Sequence, residues 1–224
     1  MRQRIRFIPL KDFPRHVMTV RTYLLGLTAA FGLPWLVMIG VPYGKMKDLQ
    51  PKALDESGAE VYPPPNRGLI AYGQRVYNEQ GCYQCHTQVV RPTYAGPDRW
   101  RKGWAGDSAQ ARETQPLDYY GLNYAALGVQ RIGPDLANVG FRITDAAWHY
   151  KHLYNPRAVN AWSNMPSYKS LFKKRKIEGQ PNSEALDVPG LESGYEVVPS
   201  YEAKALVTYL MAMRKDSLTQ APAP

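Results

Sequence analysis

Cysteine is almost missing from this chain of 224 residues, which has only Cys82, Cys85 and four histidines. There is no second C-x-x-C and no H-x-x-x-H, so Cys82, Cys85 and His86 fall one ligand short of the usual zinc tetrahedron. Acidic residues are also scarce, 19 against 28 Lys and Arg, giving a net charge of +9. Nucleic acid would be the partner only if the basic residues formed one surface. Arg2, Arg4, Arg6, Lys11, Arg15 and Arg21 instead crowd one end, so no nucleic-acid partner is expected. No run alternates apolar with polar residues, so no strand is expected and the fold class reads as mainly α.

One long stretch, 22–44, has no charge at all. As a helix rising about 1.5 Å per residue it is long enough for a bilayer core, which takes roughly 20 residues. Tyr23 and Tyr43 stand at its two ends, where amphipathic rings favour the headgroup layer, and membrane helices tolerate Pro34 and Gly40. A cleaved signal peptide would have an apolar region of about 7–15 residues before a small-residue cleavage site. This one is longer and continues into Val41-Pro42-Tyr43-Gly44. The expectation is one uncleaved transmembrane helix over 22–44 in the lipid bilayer of a bacterial cytoplasmic membrane. The basic segment 1–21 would stay in the cytoplasm and everything after Lys45 would enter the periplasm. Residues 45–67 are polar and include Pro63-Pro64-Pro65, which suits an extended tether. A globular domain is expected over 68–214 and a disordered tail over 215–224.

Both cysteines fall in Cys82-Tyr83-Gln84-Cys85-His86, a pattern that reads as a covalent haem attachment site. Two thiols add across the two haem vinyl groups while the adjacent imidazole falls under the iron. A thioredoxin-like redox pair is the rival reading, but it needs a βαβ setting and no obligatory histidine. In bacteria, covalent c-type attachment is completed outside the cytoplasmic membrane, which agrees with the expected orientation. Iron then needs a second axial ligand, or keeps an open position as in a haem gas sensor or peroxidase. Met165, in the non-helical Asn164-Met165-Pro166, is the expected ligand; Met211 and Met213 read as filler on a helix. His149 and His152, at i and i+3 on a helix that Thr144 could cap, are the competing donors. Candidates for holding the haem propionates are Arg91, Arg131, Arg142 and Trp162.

A short helix is expected from Gly68 to Tyr77, with Ile70, Gly73, Val76 and Tyr77 at helical spacing. A second runs from Tyr201 to Arg214, with Ala205, Leu206, Tyr209, Leu210 and Met213 on one face. A helix, then C-x-x-C-H, then a terminal helix rich in Ala, Leu and Tyr resembles the class I cytochrome c fold. That resemblance implies that the first and last helices cross closely, with Gly73 at the approach and Tyr77 and Tyr209 packed over it. It also assigns to Pro134, in Gly133-Pro134-Asp135-Leu136, the carbonyl that accepts from His86.

Longer stretches narrow the resemblance. Gly81 to Pro92, Arg131 to Gly140, Trp148 to Arg157 and Asn164 to Tyr168, in that order behind an amino-terminal anchor, look like the mono-haem subunit II of cbb3-type cytochrome c oxidases. The likeness runs from about Gly68 to Tyr168. It implies one covalently bound haem c and no substrate chemistry in this chain. It further implies a periplasmic electron relay in aerobic respiration, beside a haem-copper oxidase catalytic subunit and fed by a di-haem or other cytochrome c donor. Departures are the long basic amino terminus, Phe141 after Gly140, and 99–129, which matches poorly. The cytochrome c subunit of a nitric oxide reductase is the alternative. Lys169, Lys173, Lys174, Arg175 and Lys176 form a basic cluster that reads either as a solvated loop or as a docking patch for an acidic donor.

Overall fold

The computed structural model describes residues 18–106, 111–123 and 125–215. It is mainly helical and divides into two compact units, one ending at Leu49 and the other beginning at Gln50. The basic residues Arg2 to Arg15 and the tail 216–224 lie outside the described residues.

The first unit holds one helix, α1, Val20–Met46, long and apolar enough to cross a membrane. It exceeds the expected 22–44 at both ends because its start is set by a cap rather than by the charge boundary. Thr19 Oγ1 accepts from the Thr22 amide at 3.2 Å, filling one of the donors a helix start leaves open. None of its residues between Val20 and Met46 is buried, so it turns apolar side chains outward on every side, as a helix solvated by lipid does. Pro34 lacks an amide hydrogen, and past it the helix widens into a π-turn over Leu36–Gly40.

The second unit opens with a short antiparallel pair, β1 (Lys52–Ala53) and β2 (Val61–Tyr62). Part of the stretch read as a tether therefore folds. Tyr62 is buried and donates its hydroxyl to the Asp118 carboxylate. Arg112 Nη2 donates to Tyr62 Oη at 2.9 Å, to Asp118 Oδ1 at 2.7 Å and to the Lys215 carbonyl at 2.9 Å. Lys215, expected to begin a disordered tail, is thus hydrogen-bonded to the domain.

Two helices carry the core. The first, α2 (Gly68–Glu79), buries Gly73, Val76 and Tyr77, and the last, α6 (Tyr201–Ala212), buries Ala205, Leu206, Tyr209 and Leu210, with Met213 just beyond. A side chain on Gly73 would overlap the carbonyl of Ala205 and come within 2.7 Å of Tyr209 Cβ. The helices approach this closely because glycine has no Cβ there. Tyr77 and Tyr209 meet edge to face over the crossing, centroids 5.6 Å apart.

Between them run α3 (Val139–Arg142), α4 (Ala146–Tyr154) and α5 (Pro156–Val159). Asp145, not Thr144, caps α4: its carboxylate accepts from Ala147 N at 2.9 Å and Trp148 N at 3.3 Å, and its charge faces the positive helix end. Gly140 repeats the device of Gly73, lying so tightly against the carbonyl of Met211 that no side chain fits.

Contrary to the expectation of no strands, β3 (Phe172–Lys176) pairs antiparallel with β4 (Tyr195–Pro199), Lys174 opposite Val197. The basic cluster is therefore largely a strand. Its Arg175 Nε reaches buried Glu196 at 2.7 Å and Lys174 Nζ reaches Glu192 at 3.1 Å.

Candidate haem site

Helix α2 ends in a turn at Gly81, whose φ of 69° is open to glycine without strain. That turn feeds the chain into a single 3₁₀ turn over Cys82–Gln84. Cys85 N and His86 N both donate to the Cys82 carbonyl, at 3.2 and 3.0 Å. The coil brings Cys82, Cys85 and His86 to one wall of a cavity of about 550 Å³.

His86 is fixed from two sides. Its Nδ1 lies 2.7 Å from the Pro134 carbonyl; a carbonyl only accepts, so Nδ1 carries the hydrogen and the Nε2 lone pair is left for a metal. Gly133 lies flat against the ring, and a Cβ there would sit 2.8 Å from both ring nitrogens. Gly133 N in turn donates to the Cys85 carbonyl at 3.0 Å. Burial lowers the imidazole's pKa below its usual value, which keeps it neutral and able to ligate. Burial also pushes the Cys82 thiol up to about 11. A redox-active C-x-x-C needs the opposite, a thiolate favoured by its surroundings, so the thioredoxin-like reading loses its chemistry.

Met165 lines the same cavity from the segment after α5, its amide bonded to Ser163 Oγ at 3.2 Å. Met211 and Met213 do not line it; they pack in the core. His149 and His152 both line it from α4. His149 Nε2 bonds the Ile143 carbonyl at 3.1 Å. His152 stacks on Trp148 at 4.8 Å, its buried Nδ1 without a partner, and burial lowers its pKa to about 4.

Arg91 and Arg131, expected among the haem-binding residues, do not line the cavity. Arg131 makes a two-pronged pair with Asp98, 2.7 Å on each side, and bonds Thr87 Oγ1 at 2.6 Å; Arg91 reaches the same carboxylate at 3.3 Å. Thr87 in turn donates to Asp135 at 2.6 Å, and that carboxylate also accepts from Val89 N and Ala137 N. These residues brace the two loops on either side of His86. Of the four propionate candidates, only Arg142 and Trp162 line the cavity, Trp162 being 90% exposed.

Sequence reasoning did not find Asp98, Trp104 or Tyr168. Asp98 shows no exposed surface, and the signal for it was only its charge, since Arg131, which grips it on both sides, is 33 residues away in the chain. Trp104 and Tyr168 line the cavity; Tyr168 stood inside a recognised stretch without a role.

The residues present fit a c-type haem. Two thiols and an imidazole of fixed tautomer share a wall, a glycine makes the flat cradle against the imidazole, and a methionine lies in the same apolar cavity. Comparison with known proteins agrees. No curated protein matches the chain. The family model described as "Cytochrome C oxidase, mono-heme subunit/FixO" matches residues 28–220. With most of its length matched and an apolar anchor ahead of an attachment motif, the chain belongs to the mono-haem subunit family of cytochrome c oxidase.

Proposed function

We propose that this chain is the membrane-anchored electron relay of a cbb3-type oxidase, passing electrons from a di-haem or other cytochrome c donor to a haem-copper catalytic subunit. The observation that carries the reading is the convergence of Cys82, Cys85, His86 and Met165 on one cavity, with His86 Nδ1 engaged by Pro134. Haem, when bound, supplies a one-electron carrier whose potential follows its axial ligands and surroundings. The chain does the rest. Cys82 and Cys85 would hold the group covalently, His86 and Met165 would be the donors to its iron, and Pro134 keeps His86 in one tautomer. Gly133 keeps the ring from turning, and apolar walls exclude water. No residue of this chain breaks or forms a substrate bond.

Helix α1 would hold the domain at the periplasmic face of the cytoplasmic membrane, with Arg2 to Arg21 on the cytoplasmic side, by the positive-inside rule. The test is to purify the complex from its membranes and identify its subunits and metals. Copper, a haem-copper subunit and oxygen reduction are expected. A complex with non-haem iron that reduces nitric oxide and lacks copper would transfer the chain to a nitric oxide reductase.

A further inference from the structure

Two of the most exposed aromatic side chains of the second unit stand in one loop: Tyr94 is 91% and Trp100 69% exposed. The loop is tightly built. Its neck is closed where the Asp98 carboxylate accepts from Arg91 N at 2.9 Å. Its tip is turned by bonds from Ala95 N and Gly96 N to the Pro92 carbonyl, at 2.8 and 3.2 Å. A 3₁₀ turn over Asp98–Trp100 follows. A fixed backbone thus presents both rings to solvent, which lowers the ordering cost of a contact.

Arg99, Arg101 and Lys102 flank Trp100 and are all exposed. Among the described residues none of the three forms an ion pair. Asp98 is taken by Arg131 and Arg91, and Glu113 Oε1 accepts from Thr93 N at 2.8 Å. The Arg101 guanidinium lies over the Trp104 ring at 4.5 Å, beside the loop. Trp100 and its three cations fall in 99–129, the stretch that departs from the family pattern.

Amphipathic rings beside uncompensated cations fit the headgroup layer of a bilayer that contains anionic phospholipid. The rings settle at that depth, and Lys and Arg meet the phosphates. An acidic protein face would also attract the cations, but the chain itself favours lipid. Helix α1 ends at Met46 and the second unit begins at Gln50. Lys47, Asp48 and Leu49 alone join them, a reach of about 14 Å at most.

We infer that the loop from Tyr94 to Lys102 seats on the phospholipid headgroups of the membrane that α1 enters, with Tyr94 and Trp100 at headgroup depth and Arg99, Arg101 and Lys102 against phosphate. This rests on membrane anchoring by α1 and gives the domain a second hold on the same membrane.

The experiment uses the intact complex in its native membranes. The photocrosslinker p-benzoylphenylalanine replaces Tyr94, Trp100 or, as a control, Val37, which is exposed on α1. After illumination the chain is isolated and its adducts are identified by mass. Val37 captures lipid. Tyr94 and Trp100 capture phospholipid too, and their yield falls about fivefold or more when Arg99, Arg101 and Lys102 are changed to Gln, about fivefold being the effect of one cation at an anionic surface. Covalent haem content stays at the parent level, so a lost adduct is not a lost fold. Adducts to another protein chain at either position, or none at either while Val37 captures lipid, overturn the lipid contact and leave the anchor standing. A lipid yield indifferent to the three substitutions overturns it as an anionic-headgroup site. No lipid at Val37 overturns the anchor as well.

Discussion

Gly73 faces the Ala205 carbonyl at a separation that admits no side chain. The two helices that close the haem domain therefore depend on a missing methyl group. Gly73→Ala is expected to destabilise the domain by about 1–3 kcal/mol, the usual range for overpacking, although alanine is the better helix former. Denaturant unfolding of the purified chain measures it. A stabilised Gly73→Ala would mean that the helices separate at no cost.

Met165→Ala should keep the haem attached, since attachment depends on Cys82 and Cys85, and should open the sixth position. Carbon monoxide then binds the reduced variant and leaves the parent untouched. If the variant stays six-coordinate, His152 is the donor to examine first, because its buried Nδ1 has no partner in the same cavity.

Gly133→Ala pushes a methyl group into the His86 ring. The ring must turn, which breaks its bond to the Pro134 carbonyl or tilts it from its ligating position. Absorption spectra should show a loss of low-spin haem, with the covalent haem content unchanged by mass. An unaltered spectrum would show that the cradle yields freely.

Asp98 links the two arginines beneath the site. Burial opposes its charge, but hydrogen bonds from Arg131 and Arg91 outweigh that and hold the carboxyl at about 2. A depressed folded-state value means stability that is complete above the unfolded value near 3.8 and is lost as pH falls from about 4 to about 2. The loss is on the order of 2 kcal/mol. Asp98→Asn should flatten that limb of a stability–pH curve and, by leaving Arg131 only its longer 3.5 Å pair with Asp135, cost about 3 kcal/mol at neutral pH. Equal acid limbs in parent and variant would remove Asp98 from the account.

The helix crossing and the attachment motif were legible in the sequence because their signals are local. Ile70, Gly73, Val76 and Tyr77 keep one helical face, and Cys82, Cys85 and His86 lie within one turn. The β3–β4 hairpin was not legible, because Lys173 to Lys176 all face outward and show no alternation. Its partner Tyr195 to Pro199 buries four residues in succession, a pattern that a helix could also produce. The folding of the Pro63 region onto the domain depends on Tyr62, Arg112 and Asp118, which are remote in the chain, and no spacing announces such a contact. Arg91 and Arg131 looked suited to the haem because they flank its motifs; burial of Asp98 redirects both.

The hairpin also changes the expectation for the basic cluster. Glu178, Glu184, Asp187, Glu192 and Glu196 lie in the same stretch as Lys169, Lys173, Lys174, Arg175 and Lys176, and two of these cations are paired. Changing Lys173, Lys174 and Lys176 to Gln should leave the salt dependence of haem reduction by the native donor almost unchanged. A clearly flatter salt slope would restore this strand as a docking patch.

The relay itself is tested most directly by a single turnover of the intact complex. The fully reduced complex is mixed with oxygen while the haem c absorption is followed, alongside a Cys82→Ser, Cys85→Ser variant that cannot attach haem. The account predicts that haem c oxidises within the turnover, and that the variant loses oxygen consumption driven by the cytochrome donor. Haem c that stays reduced while oxygen is consumed, or a variant that turns over with the donor at the parent rate, would contradict it.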